Sequence, residues 1–407
     1  MLKKILIVSS YAPPAIGGPQ NLYNLLRDYP EDRYTILTSF YNIDNLSAQK
    51  GTWLNGDYVF YDNPKATKQT RIDSQNNPKS SFLNNLKHSI KRIKFIRNIL
   101  GIPIVLLQIY WIYKTGKKQK GFDTMIGFSD YGPAMIGTYL LHKKNNVPYS
   151  IFLFDIYKGN YYPFPGGILS KIYEKRILEN AEKIIVTNQG TKDFYINRYN
   201  KELGEKIVII HNSVFPEPYS HTEYNPTPPY KIVFTGRIYW PQARSIKNLI
   251  KAIDGMSDVE LEIYCPNPKD YLKKIGIDIE TKVVPHKEIP NVLKQADILF
   301  LPLSWNTKSP QIIDTATPGK LTDYLISSRP MLIHAPSSTA LVKYAKQEKF
   351  AYIVDQENID DIRKTIKEIL INKEKTQNII NNAKKTFSLN HDANKNAIIF
   401  KELFSQK

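Results

Sequence analysis

The chain has a single cysteine, Cys265, and its seven histidines show no H-x-H or H-E-x-x-H spacing. An internal disulfide framework and a cysteine-based zinc cluster are excluded. No metal site is expected, with carboxylate-bound magnesium the one form left open. A long hydrophobic run is also missing. The longest, Ile99–Tyr113, has about fifteen residues, short of the roughly twenty that span a bilayer. The opening apolar run, Ile5–Val8, is too short for a secretion signal and is followed by Pro13 and Pro14. It reads as a first buried strand, and export is not expected. Acidic residues are scarce: 38 Asp and Glu stand against 56 Lys and Arg, giving a net charge of +18. Such a balance implies a polyanionic partner, whether acidic lipid, nucleic acid or a phosphorylated substrate.

What is present is a repeated strand–helix alternation over 407 residues, long enough for two domains. Apolar stretches in the first half predict strands at 3–10, 34–39, 122–129, 149–155, 183–188 and 206–212. A helix is expected from about Asn21 to Asp28. The proline-rich stretch Phe215–Tyr230 predicts a linker. Strands then resume at 230–236, 259–265, 281–285, 297–303, 330–335 and 350–355. Continuous apolar strands with intervening helices predict parallel sheets covered on both faces. The expected fold is therefore α/β, with two doubly wound Rossmann-like domains. Domain limits fall at 1–213, a linker at 214–229, a second domain at 230–386, and a C-terminal segment at 387–407. That last segment is expected to be helical from about Asn390 to Phe404 and to pack back on the first domain.

Ser89–Gly121 breaks the alternation. Its apolar centre holds Tyr110, Trp111 and Tyr113. Lys91, Arg92, Lys94 and Arg97 precede it, and Lys114, Lys117, Lys118 and Lys120 follow. A core helix explains part of this pattern. A patch lying on an anionic membrane explains the aromatics and the flanking charge.

Three stretches carry chemistry. Gly17-Gly18 ends the loop after the first strand, where glycines admit a phosphate or sugar close to the backbone; the loop is not G-x-G-x-x-G, so a dinucleotide fingerprint is absent. Arg237 follows Gly236 at the end of the second domain's first strand, and Arg244 is expected just before the next helix, a pairing suited to a diphosphate. In "TATPGKLTDYL", Thr317 and Pro318 predict a helix start, yet Gly319 and Lys320 are poor choices there. Asp323 shares a face with Lys320. A solvated helix end with an i,i+3 ion pair explains this stretch, and anion plus diol recognition explains it equally well.

In order and spacing these motifs resemble the nucleotide-sugar glycosyltransferases of the two-Rossmann-domain (GT-B) fold, specifically the family 4-like group. "PPAIGGPQN", "FTGRIYWPQARSIKNLIKAI", "TPGKLTDYLISSRPML" and "VIIHNSV" carry the resemblance. It implies two domains facing across a cleft and transfer with retention of configuration. Donor binding would involve Gly17, Gly18, Gly236, Gly319, Lys320 and Asp323, with Asp323 on the ribose. Arg237 and Arg244 would stabilise the leaving diphosphate, and Asp155 would orient the acceptor hydroxyl, with Asp130 as its rival. The chain departs from the family at Thr315, where a glutamate is usual, and at Phe154, where a histidine is common. No cofactor is expected beyond the nucleotide sugar. The acceptor is expected to be a lipid-linked or membrane-associated glycan of bacterial surface polysaccharide synthesis, met on the cytoplasmic face of the membrane. A non-catalytic partner subunit of the same fold and a basic nucleic-acid binder are the alternatives; the dispersed charge argues against nucleic acid.

Overall fold

A computed structural model describes residues 1–15, 17–41, 53–76, 94–160, 162, 164–220, 222–267, 269–305 and 309–405. The chain divides into two compact units. Unit 1 is Met1–Ile210 with Asn396–Lys407, and unit 2 is His211–Lys395.

Unit 1 is built on a parallel sheet in the order β3-β2-β1-β4-β5-β6-β7. Its strands are β1 (Ile5–Val8), β2 (Tyr34–Thr38), β3 (Asp57–Phe60), β4 (Thr124–Phe128), β5 (Tyr149–Leu153), β6 (Ile184–Val186) and β7 (Ile207–Ile209). The central strands are wholly buried, as expected of apolar runs covered by helices on both faces. The order reverses between β1 and β4, which fixes a switch point at the strands' carboxyl ends. β3 was not foreseen. It is a sheet-edge strand whose exposed Asp57 and alternating burial gave no apolar run. The first helix, Gly18–Leu26, begins three residues earlier than the sequence suggested.

The helix Ala393–Leu403 brings the chain back into unit 1. Phe400 and Phe404 join a core cluster with Ile5, Ile7, Tyr29 and Tyr34. Lys3 N–H donates to the Phe404 carbonyl at 2.8 Å.

Unit 2 repeats the scheme in the order β10-β9-β8-β11-β12-β13. These are β8 (Tyr230–Thr235), β9 (Val259–Tyr264), β10 (Thr281–Lys282), β11 (Ile298–Pro302), β12 (Met331–His334) and β13 (Tyr352–Val354). The proline-rich stretch read as a linker lies within unit 2, and Tyr219 packs on its core. Two helix starts differ from expectation. The helix Trp240–Ile253 already includes Arg244, because Pro241 suits its first turn and Gln242 completes a capping box with Tyr239. The helix Lys320–Ile326 starts two residues after Pro318, with Gly319 and not Thr317 at its N-cap.

Candidate functional site

In unit 2, Gly236, Lys320 and Asp323 converge near the carboxyl end of β8. Tyr324 is the anchor. Its buried hydroxyl lies 3.0 Å from Thr235 N and 3.2 Å from Thr235 Oγ1, tying the helix Lys320–Ile326 to the strand end. With Leu321, Tyr324 and Leu325 in the core, Lys320 and Asp323 fall on the opposite face. Gly236 turns the chain at φ 98°, and a Cβ there would meet Lys320 Cε at 3.4 Å and Nζ at 3.5 Å. A side chain at 236 would thus strain the backbone, while its Cβ would make ordinary contact with the lysine. Lys320 Nζ rests over the Phe234 ring, 3.7 Å from its centroid.

The Lys320 side chain keeps partial solvent access, but the protein packed round it lowers its pKa to about 7. Burial raises the Asp323 carboxyl, opposed by Tyr219, His286 and Lys320. Tyr219 donates its hydroxyl to Asp323 Oδ1. Gly319 is different: its backbone is ordinary helical, and a Cβ there would meet nothing within 4 Å. The fold itself therefore gives no reason for glycine at this position.

Arg237 is exposed and forms no ion pair among the described residues. It and Lys320 both act electrostatically on the buried Cys265 thiol, whose pKa burial nonetheless raises. Arg244 belongs to a second cluster. Its Nε donates to Glu357 Oε1. Asn248 Nδ2 also reaches Glu357, at 3.3 Å, and lies 3.3 Å from His334 Nε2.

In unit 1, Gly17 holds φ 86°, a conformation that favours glycine, at the N-cap of the helix Gly18–Leu26. A Cβ at Gly18 would come within 2.9 Å of the Phe154 ring, so glycine here is a packing requirement. Asp155 follows β5. Its side chain meets solvent, while the protein massed around it raises its pKa. The next residues are pinned: Tyr157 N donates to Tyr195 Oη at 2.9 Å, and Lys158 N to the buried Glu174 Oε2 at 2.5 Å. The rival Asp130 is spent on the backbone. It accepts from Gly132 N at 2.7 Å, Ala134 N at 3.1 Å and the Ser10 hydroxyl, tying down the start of the helix Pro133–Asn145. Burial raises its pKa to about 6.

The helix Lys94–Gly116 contains most of the anomalous segment; Lys91 and Arg92 lie outside the described residues. Val105, Ile109 and Ile112 are buried, whereas Ile104, Leu106, Leu107, Tyr110 and Trp111 are exposed. The carbonyl of Phe164, itself an exposed residue, stands 3.0 Å from where a Cβ on Gly101 would lie, so the chain at Phe164 passes beside this helix. Among the described residues no helix is long and apolar enough to cross a membrane.

Residues 223–386 match the family model Glycosyl transferases group 1. This segment is a glycosyltransferase group 1 domain. It makes the chain a glycosyltransferase, and it contains Gly236, Arg237, Arg244, Gly319, Lys320 and Asp323; Gly17, Gly18 and Asp155 lie outside it. Solved structures agree in fold. HepE from Anabaena, crystallised with UDP-glucose, gives a TM-score of 0.65 at 13% identity, over 98% of this chain and 99% of its own. Sucrose-phosphate synthase from Thermosynechococcus elongatus gives 0.64 at 12%, over 98% of each chain. A glycosyltransferase from Rickettsia africae gives 0.61 at 14%, over the whole of both. These likenesses establish the two-domain GT-B architecture for this glycosyltransferase. No curated protein matches the chain in sequence.

The sequence reading missed Tyr219, Glu357 and His286 as neighbours of the site. Tyr219 sits in a stretch whose prolines signalled only a linker. Glu357 follows a strand with no motif around it.

Proposed function

We propose that this enzyme transfers a sugar from a nucleoside-diphosphate sugar to an acceptor hydroxyl with retention of configuration, in the manner of the family 4-like group. The observation that carries the reading is the convergence of Gly236, Lys320 and Asp323 at the end of β8. Lys320, Arg237 and the Arg244 guanidinium answer the charge that develops on the leaving diphosphate, so the reaction is assigned no metal. Gly319 leaves open space for phosphate oxygens beside Lys320, and Gly17 and Gly18 offer backbone N–H groups to the donor. Asp323 accepts from the ribose. The glycosyl C1–O bond to phosphate breaks, and C1 bonds to the acceptor oxygen on the same face. The acceptor proton passes to the departing phosphate oxygen, with Asp155 orienting the hydroxyl. HepE's UDP-glucose supports a nucleotide-sugar donor.

The acceptor is proposed to be a lipid-linked glycan of bacterial polysaccharide synthesis, reached from the cytoplasmic face of an anionic membrane. Support comes from the exposed apolar face of Lys94–Gly116 beside Lys114 and Lys117, whose amines sit over Tyr110 and Tyr113. A thermal-shift panel of UDP, GDP, ADP, CMP and dTDP tests donor binding. One nucleotide at a hundred times its Kd should add about 2.7 kcal/mol. No shift with any of them would overturn the reading.

A further inference from the structure

Among the described residues, one side chain hydrogen-bonds the Asp323 carboxylate: Tyr219, from the proline-rich stretch. The tyrosine is well anchored. Its N–H donates to the Pro216 carbonyl at 3.0 Å. Its ring packs against the cluster containing Leu321, Tyr324 and Leu325, the residues that seat the helix bearing Asp323. A few residues upstream, Asn212 Nδ2 reaches the Thr317 carbonyl at 3.5 Å, in the loop entering the same helix. Burial and the adjacent carboxylate push the phenol's pKa well up, so it remains a donor across ordinary pH.

We propose that Tyr219 is a positioning residue of the donor site, holding Asp323 Oδ1 so that Oδ2 is left to accept from the ribose hydroxyls. The proposal rests on the assignment of Asp323 to the ribose. A free aspartate side chain would have to be ordered when the donor binds, at a cost in affinity. Tyr219 removes that cost in advance, through a hydrogen bond to a charged acceptor. The group 1 match begins at residue 223, so Tyr219 lies outside it. The competing role is purely structural: the pair fastens the proline-rich stretch to unit 2 and has no part in binding.

Calorimetric titration of UDP, GDP and ADP into the full chain selects the nucleotide used as probe. Tyr219→Phe is expected to raise its Kd about tenfold, and to raise KM for the nucleotide sugar while leaving kcat within about twofold, because ribose contacts persist through the reaction. Asp323→Ala should weaken binding as well, and adding Tyr219→Phe to it should cost nothing more. Tyr219→His keeps a ring donor and is read by the same coupling to Asp323→Ala, which covers the case in which Tyr219→Phe does not fold. Wild-type affinity in Tyr219→Phe, with Asp323→Ala impaired, overturns the positioning role alone. Wild-type affinity in Asp323→Ala overturns the ribose assignment and this proposal with it.

Discussion

Lys320 Nζ stands 3.7 Å from the centre of the Phe234 ring, on the strand that Gly236 follows. An ammonium over an aromatic face is stabilised by the ring quadrupole, yet burial outweighs this and brings the lysine from 10.5 to about 7. Between pH 7 and 10.5 the unfolded chain therefore holds a proton that the folded chain lacks. This group's contribution to stability rises with pH through that window and is least favourable below pH 7. Lys320→Met should consequently raise the melting temperature more at pH 6 than at pH 10. Nucleoside diphosphate should draw a proton onto Lys320 when it binds above pH 7. Titrations in buffers of different ionisation enthalpy should report that uptake in the wild type and none in Lys320→Met, and affinity should fall as pH rises above about 7.

Arg244 and Glu357 make a second test. If the guanidinium meets the diphosphate, Arg244→Ala should lower turnover by about a hundredfold or more, with Arg244→Lys keeping part of it. Glu357→Gln should cost less, since it only loosens the arginine, and should add little in the Arg244→Ala background. Equal turnover in wild type and Arg244→Ala would remove the arginine from the chemistry.

Asp155 and Asp130 separate by what they touch. Asp130→Ala should destabilise unit 1 by about 1–2 kcal/mol, because it strips a helix start of its acceptor. Asp155→Asn should leave the melting temperature unchanged and lower transfer, while nucleotide affinity stays at the wild-type level. Transfer at the wild-type rate in Asp155→Asn would remove Asp155 from acceptor handling.

The apolar face of Lys94–Gly116 predicts co-sedimentation with anionic vesicles that weakens in high salt. Lys117, Lys118 and Lys120 replaced by Glu, or Leu107 and Trp111 replaced by Ser, should release the protein from the vesicles without changing nucleotide binding. Equal co-sedimentation of wild type and both variants would overturn the membrane proposal.

Much of the architecture was legible because parallel strands covered on both faces write themselves as unbroken apolar runs, as in Ile5–Val8 and Ile298–Pro302. The edge strand Asp57–Phe60 lacked such a run and went unseen. Helix starts were misjudged where one proline outweighed its surroundings, as at Pro318. The glycine–lysine pair 319–320 was visible because it contradicts helix propensity. Tyr219 was invisible because its role depends on a partner 104 positions away, which no local pattern encodes. The segment Ile99–Tyr113 was read as either core or surface, and the helix divides the two by face.

Phe400 and Phe404 fill the same cluster as Ile5 and Ile7. On the ribosome, the first unit to emerge therefore lacks part of its interior until all of His211–Lys395 has been made. Unit 2 is one continuous stretch, so its core can close without waiting for residues from the other unit.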